Sequence, residues 1–237
     1  MLATIRQDIQ AARERDPARP TTLQIIVAYP GVHAIWAHRI SHWLWNRGAK
    51  VAARALGELT RILTGVEIHP GATLGSRLFI DHATGVVIGE TAEVGDDVTI
   101  YHGVTLGGSG RDTGKRHPTI GDRVIIGAGA KILGPIKIGD DSRIGANSVV
   151  VKEVPSSRVV VGVPGQIISR AKPGSPDDAL PDLVGVSLQQ LLSRVAKLEA
   201  QGNGNGNGNG NGNGTQQTGR VIRPPEAGVW HGEDFSI

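Results

Sequence analysis

Two irregular stretches of the chain carry side chains suited to acid–base chemistry. The first begins with Asp81 and His82, and the second, residues 107–118, contains Arg116 and His117. An imidazole titrates near neutral pH and can take a proton from a hydroxyl group. His82 is therefore a candidate general base.

Both stretches interrupt a pattern in which an aliphatic residue returns at every sixth position, usually followed by glycine. This period fits neither an α-helix nor an alternating strand, and it predicts a parallel β-helix whose repeats are buried by stacking on one another. A disordered glycine-rich chain would not keep the register from Ile120 to Val150. The three runs are Ile68, Leu74 and Ile80; Ile88, Val94, Ile100 and Leu106; and Ile120, Ile126, Ile132, Ile138, Ile144 and Val150.

The breaks in the period indicate where function lies. The step from Ile80 to Ile88 is eight residues, so two extra residues must bulge from the coil, and a loop separates Leu106 from Ile120. Loops on a repetitive scaffold commonly carry function. We therefore look for the site at these two interruptions.

Composition excludes several classes of protein. The 237 residues include 25 Lys+Arg and 22 Asp+Glu, a net charge of +3 that does not suggest nucleic-acid binding. Cysteine is absent, which excludes disulfides, thiolate zinc sites and cysteine nucleophiles. The N-terminus lacks the apolar core of a signal peptide, and no window is apolar enough for a membrane span. We expect a soluble cytoplasmic protein.

The N-terminal quarter reads as helical. A short polar helix is expected over residues 2–15, ending where Asp16 precedes Pro17. Further helices are expected around 23–29, from 30 to Gly48, where apolar residues recur at intervals of three and four, and over 49–63. His38 and His42 lie one helical turn apart and in principle could share a metal, but no further ligand is suitably spaced, so we interpret them as packing residues. The predicted domains are a helical domain (1–64) and a β-helix (65–170).

Beyond the β-helix we expect a connector with a short amphipathic helix (171–200) and a flexible tail (201–237). Ser187 and Gln190 form a capping box before a short apolar seam, which fits either a subunit contact or packing within the chain. The Gly-Asn repeat then resembles a tether to an acidic, aromatic end.

Several motifs resemble those of the bacterial serine acetyltransferases. They are Ile80-Asp81-His82-Ala83-Thr84-Gly85, Val87-Ile88-Gly89-Glu90-Thr91-Ala92, Val104-Thr105-Leu106-Gly107-Gly108, Arg116-His117-Pro118, Ile126-Gly127-Ala128-Gly129-Ala130-Lys131-Ile132-Leu133-Gly134 and Gly162-Val163-Pro164. The helical region adds Arg15-Asp16-Pro17-Ala18 and His42-Trp43-Leu44-Trp45-Asn46, so the resemblance covers residues 14–170. It implies a left-handed coil and the O-acetylation of L-serine by acetyl-CoA for cysteine synthesis.

The resemblance also implies roles for individual residues. His82 is the general base, and Glu67 is the carboxylate that orients it, although the family's best-known members have the shorter Asp there. Asp16 and Asp81 bind the ammonium group of serine. Arg116 and His117, from an adjacent subunit, bind its carboxylate, and His117 is also a candidate second base.

The resemblance further implies acetyl-CoA as the cosubstrate, and we expect no permanently bound cofactor and no metal. The resemblance places the pantetheine arm along the groove between coils. Its contact positions are Gly108, Ser109, Ala128 and Ala146, and Lys131 and Arg143 are candidates for the phosphates or, equally, members of a solvated basic face.

The family's assemblies give the last expectations. A homotrimer is favoured over a hexamer because the helical region is short. The C-terminal Ile237 resembles the residue by which the family binds O-acetylserine sulfhydrylase.

Three alternatives are weighed against this interpretation. A sugar or antibiotic acetyltransferase would have no use for a pocket that binds an amino-acid zwitterion. A β-helical zinc carbonic anhydrase needs a histidine spacing that the chain lacks. A non-catalytic regulator of the sulfhydrylase would not need His82.

Overall fold

The computed structural model describes residues 2–109, 113–170 and 192–195. It confirms the predicted fold class, in which helices precede a left-handed parallel β-helix. The chain divides into two compact units, residues 1–180 and 181–237. In the second unit, the described residues 192–195 are helical. The capping box at Ser187 and the Gly-Asn repeat lie outside the described residues.

Four helices come first, and they agree with the sequence-based expectation to within two residues. Thr21 caps the second helix through a capping box with Gln24. Gly48, which follows the C-cap residue Arg47 of the third helix, adopts a positive φ of 83°, as expected of a terminating glycine. The helices are α1 (Leu2–Arg15), α2 (Thr22–Ala28), α3 (Pro30–Asn46) and α4 (Lys50–Thr64).

Short strands then wind into a coil with three faces, which we call sheets A, B and C. Successive strands of each face pair in parallel, except that β15 pairs with β14 in antiparallel fashion. Sheet A contains β1 (Val66–Ile68), β4 (Val86–Ile88), β7 (Thr105–Gly107), β10 (Lys131–Leu133) and β13 (Val149–Val150). Sheet B contains β2 (Thr73–Leu74), β5 (Glu93–Val94), β8 (Thr119–Ile120) and β11 (Lys137–Ile138). Sheet C contains β3 (Phe79–Ile80), β6 (Thr99–Ile100), β9 (Ile125–Ile126), β12 (Arg143–Ile144), β14 (Arg158–Val161) and β15 (Gln166–Arg170).

The aliphatic residues of the six-residue period form the core of the coil. All are buried except Leu74, which is half-buried against the same core. Each fully buried aliphatic side chain contributes about 1.5–3 kcal/mol relative to exposure. Stacking of the coils therefore accounts for the pattern read from the sequence.

The turns between sheets form three columns, named here by the sheets they join. The C–A corner comprises residues 81–85, 101–104, 127–130 and 145–148. The A–B corner comprises residues 69–72, 89–92, 108–118 (described at 108–109 and 113–118) and 134–136. The B–C corner comprises residues 75–78, 95–98, 121–124 and 139–142. Both predicted interruptions are corner segments, residues 81–85 and 108–118.

A ladder of aspartates runs along the B–C corner. The Oδ1 atom of Asp96 accepts the backbone N–H of Ser76 at 2.6 Å, and Asp122 accepts that of Asp96 at 2.8 Å. Asp140 accepts the N–H of Asp122 at 3.0 Å. Each carboxylate thus ties its own coil to the preceding one.

Candidate functional site

His82 projects from the first C–A corner into solvent. Its side chain is 74% exposed, and Nε2 lies 3.8 Å from Oδ2 of Asp81. The ring also packs edge-on against His102, one coil further along, with 5.8 Å between centroids. His82 and Ala83 have φ values of 56° and 54°, a left-handed conformation that costs L-residues about 1–2 kcal/mol each. This strained turn holds an accessible imidazole beside a carboxylate.

Asp16 is held near this corner by Tyr29, which the sequence analysis did not single out. The Tyr29 hydroxyl donates to Oδ2 of Asp16 at 2.5 Å, and Oδ1 accepts the N–H of Ala18 at 2.8 Å. Burial, the hydrogen bond to Asp16 and the charges of Asp16 and Asp81 raise the pKa of Tyr29 to about 12. Tyr29 therefore stays protonated and lies close to both carboxylates predicted to bind an ammonium group.

The contact of α3 with the coil places these groups. A Cβ atom on Gly31 would lie 2.1 Å from the carbonyl oxygen of Ile80, so only glycine permits the start of α3 to sit on the end of β3. Asp81 follows Ile80 directly, and Tyr29 precedes α3 directly. The close approach therefore brings Asp16, Tyr29, Asp81 and His82 into one neighbourhood.

Arg116 and His117 lie on a different corner, A–B, where residues 89–92 meet the loop 108–118. Nη2 of Arg116 donates to Oε2 of Glu90 at 2.5 Å, and this bond lowers the pKa of Glu90. His117 is only 8% exposed. Burial and then the charge of Arg116 lower the pKa of His117, although Glu90 acts in the opposite direction. The result is a neutral imidazole beside a fixed guanidinium.

Within one chain, the two groups of residues stand at opposite edges of sheet A. The C–A corner leads into β4, and β4 leads into the A–B corner. The four residue steps from Gly85 to Gly89 span about 13 Å of extended chain. Among the described residues, no hydrogen bond or ion pair joins His82 to Arg116 or His117.

Glu67 lies in the middle of β1, in register with Val87 of β4. Its neighbours Val66 and Ile68 are buried, so its side chain faces outward from sheet A. In the described part of the chain, Glu67 makes no side-chain hydrogen bond or ion pair. The carboxylate within ion-pair distance of His82 is that of Asp81.

A groove of about 260 Å³ follows the later C–A corners. Three of the residues predicted to contact acetyl-CoA, Ala128, Arg143 and Ala146, line it together with Tyr101 and Gly127. Because β3, β6, β9 and β12 are successive neighbours in sheet C, the groove occupies the same edge of the coil as His82. Small, apolar corner residues leave room here for an extended ligand.

The other three predicted cosubstrate contacts lie elsewhere. Gly108 packs against His117, with 3.1 Å between Nε2 and the position of a Cβ. The Ser109 N–H donates to the carbonyl of Arg116 at 3.2 Å. Nζ of Lys131 donates to the Gly103 carbonyl. Gly108 and Ser109 therefore accompany the Arg116 group, whereas Lys131 reaches toward the C–A corner.

The described residues contain no cluster of three or more metal-ligating side chains and no helix long and apolar enough to cross a membrane. His38 is buried, and burial together with His42 lowers its pKa to about 3. Nδ1 of His42 bonds to the Pro70 carbonyl at 2.8 Å, a packing arrangement like the one expected. Ile237 lies outside the described residues.

The coil and its corner sites define a hexapeptide-repeat transferase: residues 117–152 match the family described as bacterial transferase hexapeptide (six repeats). The chain is 71% identical over 240 residues to the serine acetyltransferase of Mycobacterium tuberculosis (strain ATCC 25618 / H37Rv), covering all of both chains. The chain belongs to the serine acetyltransferase family.

Solved structures agree with this assignment. Neisseria gonorrhoeae serine acetyltransferase in complex with serine is 49% identical, with a TM-score of 0.69 over 71% of this chain and 69% of that one. The Brucella abortus strain S19 enzyme in complex with coenzyme A is 50% identical, with a TM-score of 0.71 over 72% and 68% of the two chains.

Sequence reasoning missed several residues that organise the site. Tyr29 was read as part of a helical turn, and its position before Pro30-Gly31 was its only signal. Glu90 and Thr91 belong to a recognised sequence motif, but the sequence assigned them no role. Their partners lie 26 residues away in the chain, a distance at which local patterns give no information.

Proposed function

We propose that the protein transfers the acetyl group of acetyl-CoA to the hydroxyl of L-serine, giving O-acetyl-L-serine and CoA. The observation that carries the proposal is the alignment of an exposed imidazole, His82, with a small-residue groove on the same edge of the coil. The full-length identity to a serine acetyltransferase supports the choice of substrate.

In the proposed reaction, His82 accepts the hydroxyl proton as the serine oxygen attacks the thioester carbonyl. The tetrahedral intermediate then collapses with cleavage of the carbon–sulfur bond, and the proton on His82 neutralises the departing CoA thiolate. Asp81, 3.8 Å from the ring, stabilises the imidazolium. Glu67 remains a second candidate for this role. Asp16, fixed by Tyr29, binds the ammonium group.

Arg116 and His117 complete the site from a neighbouring subunit. Because they lie across sheet A from His82 within one chain, a single protomer cannot grip one small amino acid with both groups. A closed ring of identical subunits would bring the C–A corner of one protomer to the A–B corner of the next. We propose a homotrimer, or a pair of trimers, with a site at each junction.

The reaction is tested by following CoA release from acetyl-CoA with L-serine, homoserine or sugars as acceptors. We expect release with serine and its loss in His82→Ala; release with a sugar but not with serine would contradict the proposal.

The shared site is tested by mixing two inactive variants, His82→Ala and Arg116→Ala. Mixed oligomers contain some junctions with both intact halves, so activity should return on mixing. Continued inactivity in mixed trimers, with assembly checked by light scattering, would place both halves within one chain.

We also propose that Ile237 and the acidic residues before it bind O-acetylserine sulfhydrylase, with the free carboxylate resembling an amino-acid substrate. Deleting Ile237 should abolish capture of the sulfhydrylase in a pull-down while acetyl transfer persists. Undiminished capture would refute this role for the tail.

A further inference from the structure

Thr91 is the centre of a small hydrogen-bond network around His117. Its Oγ1 accepts the backbone N–H of Arg116 at 3.0 Å and that of His117 at 3.1 Å. A hydroxyl has two acceptor sites and one proton, so the proton is left for a third neighbour. That neighbour is Nδ1 of His117, 2.9 Å away.

A second donor faces the same ring nitrogen. The backbone N–H of Thr91 points to Nδ1 of His117 at 3.2 Å. An imidazole nitrogen that accepts hydrogen bonds carries no proton, so the proton of the neutral ring resides on Nε2. Among the described residues, Nε2 has no hydrogen-bond partner, so its N–H is left unsatisfied within the chain.

The ring is also held by close packing on glycine. A Cβ on Gly89 would lie 2.0 Å from Cδ2 and Nε2 of His117, and one on Gly108 would lie 3.1 Å from Nε2. The imidazole therefore lies against two backbone segments that have no side chain. Rotation of the ring about χ2 would break both bonds to Thr91.

Most of the surrounding charges oppose protonation of the ring. Arg116 and Lys115 oppose a positive charge on His117, and His69 interacts with it repulsively. Glu90 favours the charge, but it is paired with Arg116.

Protonating Nδ1 of His117 would turn its contact with the Thr91 N–H into a repulsive donor–donor contact. The new N–H would also compete with the N–H groups of Arg116 and His117 for the two acceptor sites of Thr91 Oγ1. The charges thus favour the neutral ring, and the hydrogen bonds at Nδ1 place its proton on Nε2.

We propose that Thr91 is a positioning residue that locks His117 in the Nε2–H tautomer, so that His117 donates a hydrogen bond to the substrate carboxylate and does not act as a base. This inference rests on the proposed function for the identity of the acceptor. It leaves proton abstraction to His82, and it decides against the second-base role considered for His117.

The tautomer is tested by ¹⁵N NMR of histidine-labelled protein, a measurement that needs no turnover and so separates this inference from the proposed reaction. The wild type and Thr91→Ser, which keeps the hydroxyl, should both show His117 protonated on Nε2. Thr91→Val should show a tautomer mixture and an increase in KM for serine of about tenfold, the equivalent of roughly one hydrogen bond, with a smaller change in kcat. A wild type protonated on Nδ1, or an unchanged tautomer in Thr91→Val, would overturn the proposal.

A second comparison holds even where Thr91→Val does not fold. His117→Gln keeps an N–H donor but cannot act as a base, whereas His117→Ala removes both functions. Activity of the Gln variant about tenfold or more above that of the Ala variant supports a donor role. Equal loss in the two variants, with the fold verified by circular dichroism, would restore the base role and reject the proposal.

Discussion

The two corners that flank sheet A hold their histidines in opposite ways. At the C–A corner, His82 is 74% exposed on a left-handed turn, with a carboxylate 3.8 Å away. At the A–B corner, His117 is buried, lies against glycine and is hydrogen-bonded on one nitrogen by Thr91. A base must gain and lose a proton in each turnover, whereas a donor must keep its proton. In the proposed mechanism, these different surroundings suit His82 to the role of base and His117 to the role of donor.

The largest expected effect comes from removing the exposed histidine. His82→Ala should lower kcat by about 10² to 10⁴, the usual contribution of a general base. His102→Ala is the matched control because it removes an imidazole from the same corner, one coil away, and it should cost less than about tenfold. Steady-state CoA release measures both; a loss under about fivefold in His82→Ala would remove His82 from the base role.

A second prediction tests whether the position of the buried His117 matters for activity. In Gly89→Ala the added methyl would lie 2.0 Å from the His117 ring, which must then move. We expect an activity loss of about tenfold or more and a lower free energy of unfolding by about 1–3 kcal/mol. Urea denaturation and the serine assay report the two effects.

The control for that substitution is Gly57→Ala in α4, where the nearest atoms to an added Cβ are 3.7 Å away. Alanine is favoured over glycine inside a helix, so this variant should be as stable as the wild type or more so. Equal stability and equal activity of Gly89→Ala and Gly57→Ala would show that His117 is not confined by Gly89.

A smaller effect is expected for Tyr29→Phe, which removes the hydrogen bond to Asp16 but keeps the ring. KM for serine should rise about three- to tenfold, as for one lost hydrogen bond. Because the pKa of Tyr29 is raised to about 12, the effect should be the same across the neutral pH range. In the Asp16→Asn background the substitution should add little, and full additivity would argue against coupling.

The smallest effect concerns the ion pair of Arg116 with Glu90. The hydrogen bond from Arg116 lowers the pKa of Glu90 below its ordinary 4.5. A lowered carboxyl pKa contributes stability above the unfolded value, and this contribution is lost as the pH falls through the folded value.

Wild type should therefore exceed Glu90→Gln in stability at pH 7 by under about 1 kcal/mol, since the pair is about one-third exposed. The difference should shrink as the pH falls below 4.5 and vanish at an acidic pH below the lowered pKa of Glu90. Urea titrations at both pH values measure it. A stability difference between wild type and Glu90→Gln that grows on acidification would contradict a lowered pKa for Glu90.

The sequence predicted the coil because burial alone imposes its period. Ile100, Ile126 and Ile138 are fully buried, as the six-residue spacing required. The sequence also predicted that His82 lies on a bulge, since two extra residues between Ile80 and Ile88 had to leave the coil. Ala128, Arg143 and Ala146 were assigned by resemblance, and all three line one groove. Ala128 and Ala146 do so because they occupy successive C–A corners, whereas Arg143 lies on β12.

The polar contacts of the site did not follow from the sequence. Thr91 contacts residues 25 and 26 positions away, and this pairing depends on how the loop 108–118 closes on the second coil. Tyr29 contacts Asp16 across 13 residues of chain, and Gly31 lets α3, which begins directly after Tyr29, rest on β3. Whether Glu67 pairs with His82 was likewise open, because a strand pattern gives the face of a side chain but not its partner.

The aspartate ladder at the B–C corner helps to set the register in which successive coils stack. All three faces repeat aliphatic residues at the same interval, so a chain threaded six residues out of step would still fill its core. Asp96, Asp122 and Asp140 follow glycine at one corner only, and such a misthreaded chain would forfeit their bonds to Ser76, Asp96 and Asp122. Hydrogen bonds to charged groups are worth about 1.5–3 kcal/mol each. The aspartate ladder therefore favours the native winding over shifted windings that hydrophobic packing alone would tolerate.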